Sequence, residues 1–322
     1  MKKLLAFGVA AILLVVAIGG FWLIQGWHGA GPAAQPVSIV VPRGASLPKV
    51  ANLLKRAGAI SSTERFLFQA KFLGHERGIK AGEYEFPAHA SASRILWMLE
   101  NGKILQRFVI VPEGWPSILV WERLTKAPAL TGTVPAPDEG SILPDAYSYQ
   151  RGETRAAVLK RMQAAMAKTL DKLWAGRAPD TPVKDEKEAL ILASIVEKET
   201  GKPSERAMVA GVYANRLRQG IKLDADPTTI YPITQGKPLG RRILESELHA
   251  VNGYNTYTRP GLPVGPITNP GKDSIYAALH PAQTQALYFV ADGTGGHVFA
   301  NTLAEQNANV EKWRALRRAQ GF

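Results

Sequence analysis

The segment DEKEALILASIVEKET, residues 185–200, carries acidic residues at its start, a long apolar face and two glutamates near its end. Acidic first-turn residues and apolar residues at helical spacing predict an amphipathic helix at the centre of the fold. Ile195 and Val196 are expected to be buried, which leaves Glu197 at the rim of the apolar face. Partial desolvation of this kind raises the pKa of a carboxyl group toward the range of a general acid. Glu197 is therefore the candidate acid, and a solvated surface glutamate is the alternative.

Glu199 belongs to the same predicted helix but to another face of it. Two positions along a helix turn a side chain by about 200°, so we expect Glu199 not to share a site with Glu197. The next segment, residues 204–220, predicts a partner helix. Beyond it, residues 222–272 contain seven prolines among aromatic, Asn, Asp and Thr residues, and a segment of this kind predicts a long functional loop. Such side chains stack on sugars and hydrogen-bond to them, which favours a carbohydrate site facing Glu197.

The first residues of the chain predict a membrane anchor. The segment from Leu4 to Ile24 has no charged residue, and its 21 positions at about 1.5 Å each cover roughly 30 Å, the thickness of a bilayer core. A cleaved signal peptide is the alternative, but its apolar part usually spans about 7–15 residues, and Trp22 and Trp27 favour an aromatic anchor at the membrane interface. Because Lys2 precedes the apolar segment, the positive-inside rule leaves the N-terminus in the cytoplasm and the bulk of the chain in the periplasm.

Composition excludes several kinds of chemistry. The 322 residues include 39 Lys and Arg against 27 Asp and Glu, a net charge of +12, and no cysteine. Disulfides, thiolate zinc sites and cysteine nucleophiles are therefore excluded. The six histidines are scattered without ligand spacing, so we expect no metal site and no cofactor. The positive charge predicts an anionic partner. Since an exported domain rarely meets nucleic acid, we expect anionic lipid and acidic cell-wall polymers as partners, and no nucleic acid.

The sequence divides into four parts, and the fold class is α+β. Residues 1–27 form the cytoplasmic tip and transmembrane anchor, and the Gly- and Pro-rich residues 28–37 form a linker. A small α/β module follows at 38–114, and its ends repeat each other, IVVPRG at 39–44 and VIVPEG at 109–114. A larger mixed domain occupies residues 115–322. The predicted elements are strands at 38–42, 82–86, 107–111, 286–292 and 297–300 and helices at 46–58, 62–74, 93–102, 153–176, 185–200, 204–220 and 302–320.

Several ordered motifs resemble one family along essentially the whole chain. They are ASIVEKET at 193–200, DPTTIY at 226–231, YNTY at 254–257, GLPVGPITNPG at 261–271, ALHP at 278–281 and YFVAD at 288–292. Together they are similar to the endolytic murein transglycosylases of the MltG, or YceG-like, family. The motif PDAY at 144–147 departs from the more usual P-D-T-Y of that family, so a hydroxyl contact at Ala146 is missing.

The resemblance implies cleavage of the β-1,4 bond between N-acetylmuramic acid and N-acetylglucosamine within nascent glycan strands, close to the inner membrane. It also implies that the module at 38–114 is LysM-like, that peptidoglycan synthases are partners, and that the catalytic glutamate is the first of the motif, Glu197. A lytic transglycosylase needs one carboxyl group, because the 6-hydroxyl of the sugar itself closes a 1,6-anhydro ring. The residues that we expect to line the sugar groove are Asp226, Thr228, Tyr231, Asn255, Tyr257 and Asn269.

Some of these roles have structural alternatives. Asp226 and Asn269 each precede a proline and are equally well explained as turn formers. Asp145 and Tyr147 either contact the substrate or brace the active-site loop. At the level of function, the alternatives are a peptidoglycan-binding scaffold without activity and a hydrolytic muramidase with two carboxylates.

Overall fold

The computed structural model describes residues 2–73 and 78–319, with side chains from residue 7 onward. The predicted helix ends at residues 74 and 320 therefore lie outside the described residues, as do the outermost ends of the first and last predicted parts. The chain divides into two compact units, the first made of residues 1–107 and 149–152 and the second of residues 108–148 and 153–322. Both helices and strands are present in each, which agrees with the α+β class.

Within the described residues, the first unit contains four helices and a small sheet. Its elements are α1 (Lys2–His28), β1 (Val37–Val41), α2 (Leu47–Arg56), α3 (Thr63–Leu73), β2 (Gly82–Phe86) and α4 (Ala92–Asn101). Strands β1 and β2 pair antiparallel, from Val37 opposite Phe86 to Val41 opposite Gly82. Their inward side chains, among them Ile39 and Tyr84, form a core with α2, α3 and α4. Gly102 ends α4 in the left-handed conformation, which glycine adopts without steric cost. The predicted strands and helices of this unit are confirmed to within a few residues.

The last turn of α1 belongs to the core of the first unit. Trp27 is only 3% exposed and its ring lies 6.2 Å from that of Phe66. The prediction that Trp27 anchors the chain at the membrane interface is therefore wrong, because the apolar surfaces of α3 and α4 bury it. The segment after α1 has no helix or strand up to Val37, yet the N–H of Gly31 donates to the carbonyl of His89 at 3.0 Å.

The second unit is built around the helix predicted from residues 185–200. Its elements, with β3 at the boundary, are β3 (Arg107–Ile110), α5 (Ser117–Lys126), β4 (Ala146–Tyr149), α6 (Arg155–Ala175), α7 (Glu186–Glu199), α8 (Arg206–Arg218), α9 (Asp226–Thr234), α10 (Glu245–Leu248), α11 (Lys272–Leu279), β5 (Tyr288–Ala291), β6 (His297–Ala300) and α12 (Leu303–Ala319). Strand β3 pairs with β4, and β5 with β6. The carboxylate of Asp185 accepts the N–H of Glu188 at 2.8 Å and starts α7, whose central residues 191–196 are all buried.

Two expectations for this unit need correction. The segment 222–272 is not one long loop, since it contains α9 and α10. Of the two prolines of α9, Pro227 occupies the first turn, where a missing N–H costs no hydrogen bond, whereas Pro232 lies inside the helix and removes one N–H donor. The sequence patterns also missed α5, β4 and α11. These short elements carry too few periodic positions to stand out from turns.

Candidate active site

The two glutamates near the end of α7 have different surroundings. The side chain of Glu197 is 6% exposed. Its Oε2 accepts the N–H of Gly271 at 2.9 Å, and its Oε1 lies 3.8 Å from Nη2 of Arg206. Glu197 therefore connects α7 to the residue that precedes α11 and to the first residue of α8.

Arg206 lies within ion-pair distance of three carboxyl groups. Besides Glu197, its guanidinium lies 3.2 Å from Glu113 Oε2 and 3.7 Å from Asp273 Oδ2. Burial, and then the charge of Glu197, raises the pKa of Glu113. Glu113 and Arg206 carry no sequence signal of this cluster, because only the fold brings them to Glu197. This cluster ties three helices together through one cation.

Glu199, the last residue of α7, has the environment of a general acid. Burial raises the pKa of Glu199 to about 7, and the charge of Asp226 contributes in the same direction. The hydroxyl of Tyr213 donates a hydrogen bond to the Glu199 carboxylate and opposes part of this shift. The group is therefore close to half protonated at neutral pH, which suits a residue that first gives and then takes a proton.

Glu199 faces a cavity of about 190 Å³ in the second unit. Most of its walls are charged, hydroxylated or aromatic. The lining residues are Glu199, Tyr213, Arg216, Leu223, Asp224, Asp226, Tyr257, Phe289 and Gln306. A titratable group with a shifted pKa that opens into a polar cavity is a candidate catalytic residue.

Asp226 and Tyr257 are the two predicted groove residues that lie beside Glu199. The Tyr257 hydroxyl donates to Asp226 Oδ1 at 2.6 Å. Burial, followed by this bond, raises the pKa of Tyr257 well above its ordinary value. Asp226 is the first residue of α9. The cavity thus contains three carboxyl groups, those of Glu199, Asp224 and Asp226, and that of Glu199 is readily protonated.

Arg216 fixes the backbone that precedes Asp226. Its Nη1 lies 2.9 Å from Asp224 Oδ2 and 2.8 Å from the carbonyl of Lys222, and its Nε donates to the carbonyl of Leu287 at 2.6 Å. Asp224 has a φ of 52°, an unfavourable conformation for a residue with a side chain. The buried guanidinium therefore stabilises a strained turn at the rim of the cavity.

Tyr231 lies in a different cluster. Its ring packs against that of Tyr254 at a tilt of 47°, with centroids 4.7 Å apart, and its hydroxyl hydrogen-bonds to Glu139. Burial raises the pKa of Glu139 to about 6, against the effect of the Ser117 N–H that donates to it at 2.8 Å. Glu139 was also missed by the sequence analysis. It is a second carboxyl group with a shifted pKa, held by different elements from those around Glu199.

Thr228, Asn255 and Asn269 are fully buried. Each has its polar atoms bonded inside the protein. Thr228 Oγ1 lies 2.8 Å from Oγ1 of Thr256, and Asn255 Nδ2 donates to three carbonyls, at 2.8 to 3.2 Å. Asn269 Nδ2 donates to the carbonyl of Trp115 at 2.9 Å. These side chains hold the surrounding backbone in place.

Asp145 and Tyr147 favour the bracing alternative. The Tyr147 hydroxyl donates to the carbonyl of Leu143 at 2.6 Å, and its side chain is buried. Asp145 is exposed, and its carboxylate accepts the N–H of Ala146 at 2.7 Å. Among residues 2–73 and 78–319, no group of three or more His, Asp or Glu side chains could hold a metal ion.

Comparison with known proteins identifies the family. The model of the YceG-like family matches residues 39–312. An endolytic murein transglycosylase of Bacillus subtilis is 28% identical over 309 residues, with 86% of this chain and 84% of the relative covered. One from Streptococcus pneumoniae serotype 2 is 27% identical over 324 residues, with 85% and 58% covered, so this chain spans little more than half of that relative. The crystal structure of a YceG-like protein from Listeria monocytogenes has a TM-score of 0.54 and 25% identity, with 85% of this chain and 98% of that chain covered.

The fold is mixed α+β, with a polar cavity at the end of a buried helix. The chain belongs to the YceG-like family, which confirms the resemblance seen in its motifs.

Proposed function

We propose that this protein is an endolytic murein lytic transglycosylase, which cleaves the bond from N-acetylmuramic acid to N-acetylglucosamine within nascent glycan strands and leaves a 1,6-anhydro end. The family membership and the names of the relatives support the reaction class. The observation that supports the chemistry is Glu199, a buried carboxyl group with a pKa of about 7 that opens into a polar cavity.

We assign the acid to Glu199 and give Glu197 a positioning role. Glu197 is engaged by Gly271 and Arg206, whereas Glu199 shares its cavity with Asp226 and Tyr257, two of the predicted groove residues. The expectation that Glu199 could not share a site with Glu197 agrees with this separation. The proposal differs from the sequence-based expectation in assigning the substrate-facing carboxyl group to Glu199 and not to Glu197.

In the proposed reaction, protonated Glu199 donates its proton to the glycosidic oxygen as the bond from that oxygen to C1 of the muramic acid breaks. The 6-hydroxyl oxygen then bonds to C1, and its proton passes to the Glu199 carboxylate. The acid is regenerated and no water is consumed. Asp226 stabilises the positive charge that develops at C1, because its carboxylate lies in the same cavity.

The test is mass spectrometry of the products that full-length protein releases from nascent, uncrosslinked strands. Anhydro ends are expected for the wild type. Glu199→Gln should lower turnover by a factor of about 10² to 10⁴, the typical contribution of a general acid. The matched variant Glu197→Gln should retain more activity, since it changes a positioning contact. If Glu197→Gln abolishes turnover while Glu199→Gln does not, the assignment is wrong.

A second candidate is a hydrolytic muramidase. The observation that favours it is Asp226, a second carboxyl group beside Glu199, because glycosidases that use water or a covalent intermediate need two. Hydrated reducing ends in the same product analysis would establish this alternative. Absence of cleavage by folded protein would leave the peptidoglycan-binding scaffold.

We also propose the location and layout predicted from the sequence. The helix from Phe7 to His28 is long and apolar enough to cross a membrane, which supports a single inner-membrane anchor with the N-terminus in the cytoplasm. The LysM-like module at 38–114 and the catalytic domain at 115–322 would then lie in the periplasm. There the charge of +12 suits anionic lipid and the carboxylates of peptidoglycan, and synthases are the expected protein partners.

A further inference from the structure

Helix α3 is hydrogen-bonded to the last turns of α1. The side-chain amide of Gln69, itself buried, donates to the carbonyl of Leu23 at 2.9 Å. The guanidinium of Arg65 donates to the carbonyl of Trp22 at 3.3 Å. Two side chains one helical turn apart therefore hold α3 against consecutive residues of α1. This contact lies wholly within the first unit.

The position of this contact along α1 indicates the depth of α3 relative to the bilayer. Leu23 is one of the last residues of the uncharged segment that ends at Ile24. In the same turns Phe21 and Trp22 are exposed on the outer side of α1. Since this part of α1 marks where the apolar segment ends, α3 lies at the level at which the anchor leaves the bilayer core.

The outer face of α3 has the composition of a membrane interface. Phe68 is 53% and Phe72 62% exposed, and their rings lie 4.7 Å apart. Lys71 places its Nζ 5.9 Å from the centre of the Phe72 ring. Together with Arg65 these residues form one stripe, because Phe68 lies three positions after Arg65, and Lys71 and Phe72 lie three and four positions after Phe68. Exposed aromatic rings beside basic side chains are typical of surfaces that enter the head-group region of a bilayer.

We infer that the outer face of α3, defined by Arg65, Phe68, Lys71 and Phe72, inserts its two aromatic rings into the head-group region of the membrane beside α1. The occupant of this face is the lipid bilayer. The inference rests on the proposed membrane anchor and adds a second attachment to it. The buried contacts of Gln69 with Leu23 and of Trp27 with Phe66 connect the two attachments within the first unit.

The test uses the full chain in vesicles of phosphatidylethanolamine and phosphatidylglycerol. The protein has no cysteine, so single variants Phe68→Cys and Phe72→Cys can carry a nitroxide label without background. The measurement is the relaxation of the label by oxygen, which concentrates in lipid, and by a water-soluble nickel chelate. Val40→Cys is the matched control, because Val40 is exposed on the outer face of β1, the side of the sheet opposite to the core. Val15→Cys reports the membrane crossing itself.

We expect the labels at positions 68 and 72 to be several-fold less accessible to nickel than the label at position 40. Equal accessibility at these three positions, with position 15 in lipid, would overturn the inference and leave the anchor intact. An aqueous label at position 15 would overturn both. Labels at positions 68 and 72 that are aqueous in vesicles but shielded in native membranes would show that a protein covers the face, which also overturns the inference.

Discussion

At the scale of single residues, the chemistry depends on the different contacts that two glutamates, separated by one lysine, make with their neighbours. Glu197 meets an amide and a guanidinium. Glu199 meets a buried tyrosine and a second carboxyl group. The same side chain is therefore engaged in an ion-pair cluster at one position and easily protonated at the other. Two predictions at this scale separate the roles.

The first concerns the pH profile of the cleavage reaction. Glu199 must be protonated to act as an acid, so kcat/KM should fall as pH rises through its pKa of about 7. The charge of Asp226 contributes to the raised pKa of Glu199. Asp226→Asn should therefore move the alkaline limb of the profile to lower pH. Asp273→Asn, which removes a charge from the Arg206 cluster, should leave the limb in place, and an identical shift in both variants would count against the assignment.

The second concerns stability. The carboxyl group of Glu199 has a pKa of about 7 in the folded protein and an ordinary value near 4.5 in the unfolded chain. Between these values the folded state binds more protons, so its free energy of unfolding falls as pH rises, by about 3 kcal/mol from this group. Glu199→Gln should thus stabilise the protein at pH 8 relative to the wild type and have a smaller effect at pH 4. Chemical unfolding at the two pH values in detergent measures the difference. A variant that is equally destabilised at both would contradict the burial argument.

At the scale of elements, the predictable parts were those with long periodic patterns. The helices α6, α7 and α8 follow from their apolar spacing, and the Asp185 cap marks the start of α7. The burial of Glu199 could not be predicted, because it depends on Tyr213 and Asp226, which only packing brings to the end of α7. The segment that begins at Asp226 has the sequence of a turn but forms a helix. Packing against neighbouring elements stabilises a helical conformation that its own residues do not specify.

The loop that contains Pro266 docks on α7, and this docking gives a prediction at the element scale. Gly140 has a φ of +79°, and a Cβ there would lie 2.7 Å from Cγ of Pro266 and 3.1 Å from Cδ2 of Leu190. Gly132 has a φ of +71° but open space around it. Gly140→Ala should therefore cost about 1–3 kcal/mol more than Gly132→Ala, because only the first adds overpacking to the backbone strain. Equal losses in the free energy of unfolding of the two variants would show that the loop moves to accommodate the added methyl group without further cost.

At the scale of the whole molecule, the chain forms two compact units, each with its own hydrophobic cluster. The sequence predicted an anchor, a linker and two further parts. It did not show that the end of the anchor helix is part of a core, because Trp27 has the same aromatic character at an interface as in a folded interior. Burial by α3 and α4 makes the difference.

Trp27→Ala tests this feature. Loss of a buried tryptophan typically costs about 3–5 kcal/mol, and we expect a loss of this size in the first unit. The readout is hydrogen exchange of the β1 and β2 amides in the full chain, which should become markedly faster. Trp22→Ala removes an equal side chain from the exposed side of α1 and should leave the exchange unchanged. If both variants exchange alike, Trp27 contributes nothing to the core.

The position of Glu199 as the final residue of α7 has one more consequence. The C-terminal end of a helix carries a partial negative charge, so the fold places an acidic side chain, a neighbouring carboxylate and the dipole end together. A population of variants selected for heat tolerance alone should lose this glutamate early, because its neutral replacements relieve the repulsion. Retention of Glu199 in such a population would indicate selection for catalytic activity. The identity of this residue would therefore show whether activity is under selection.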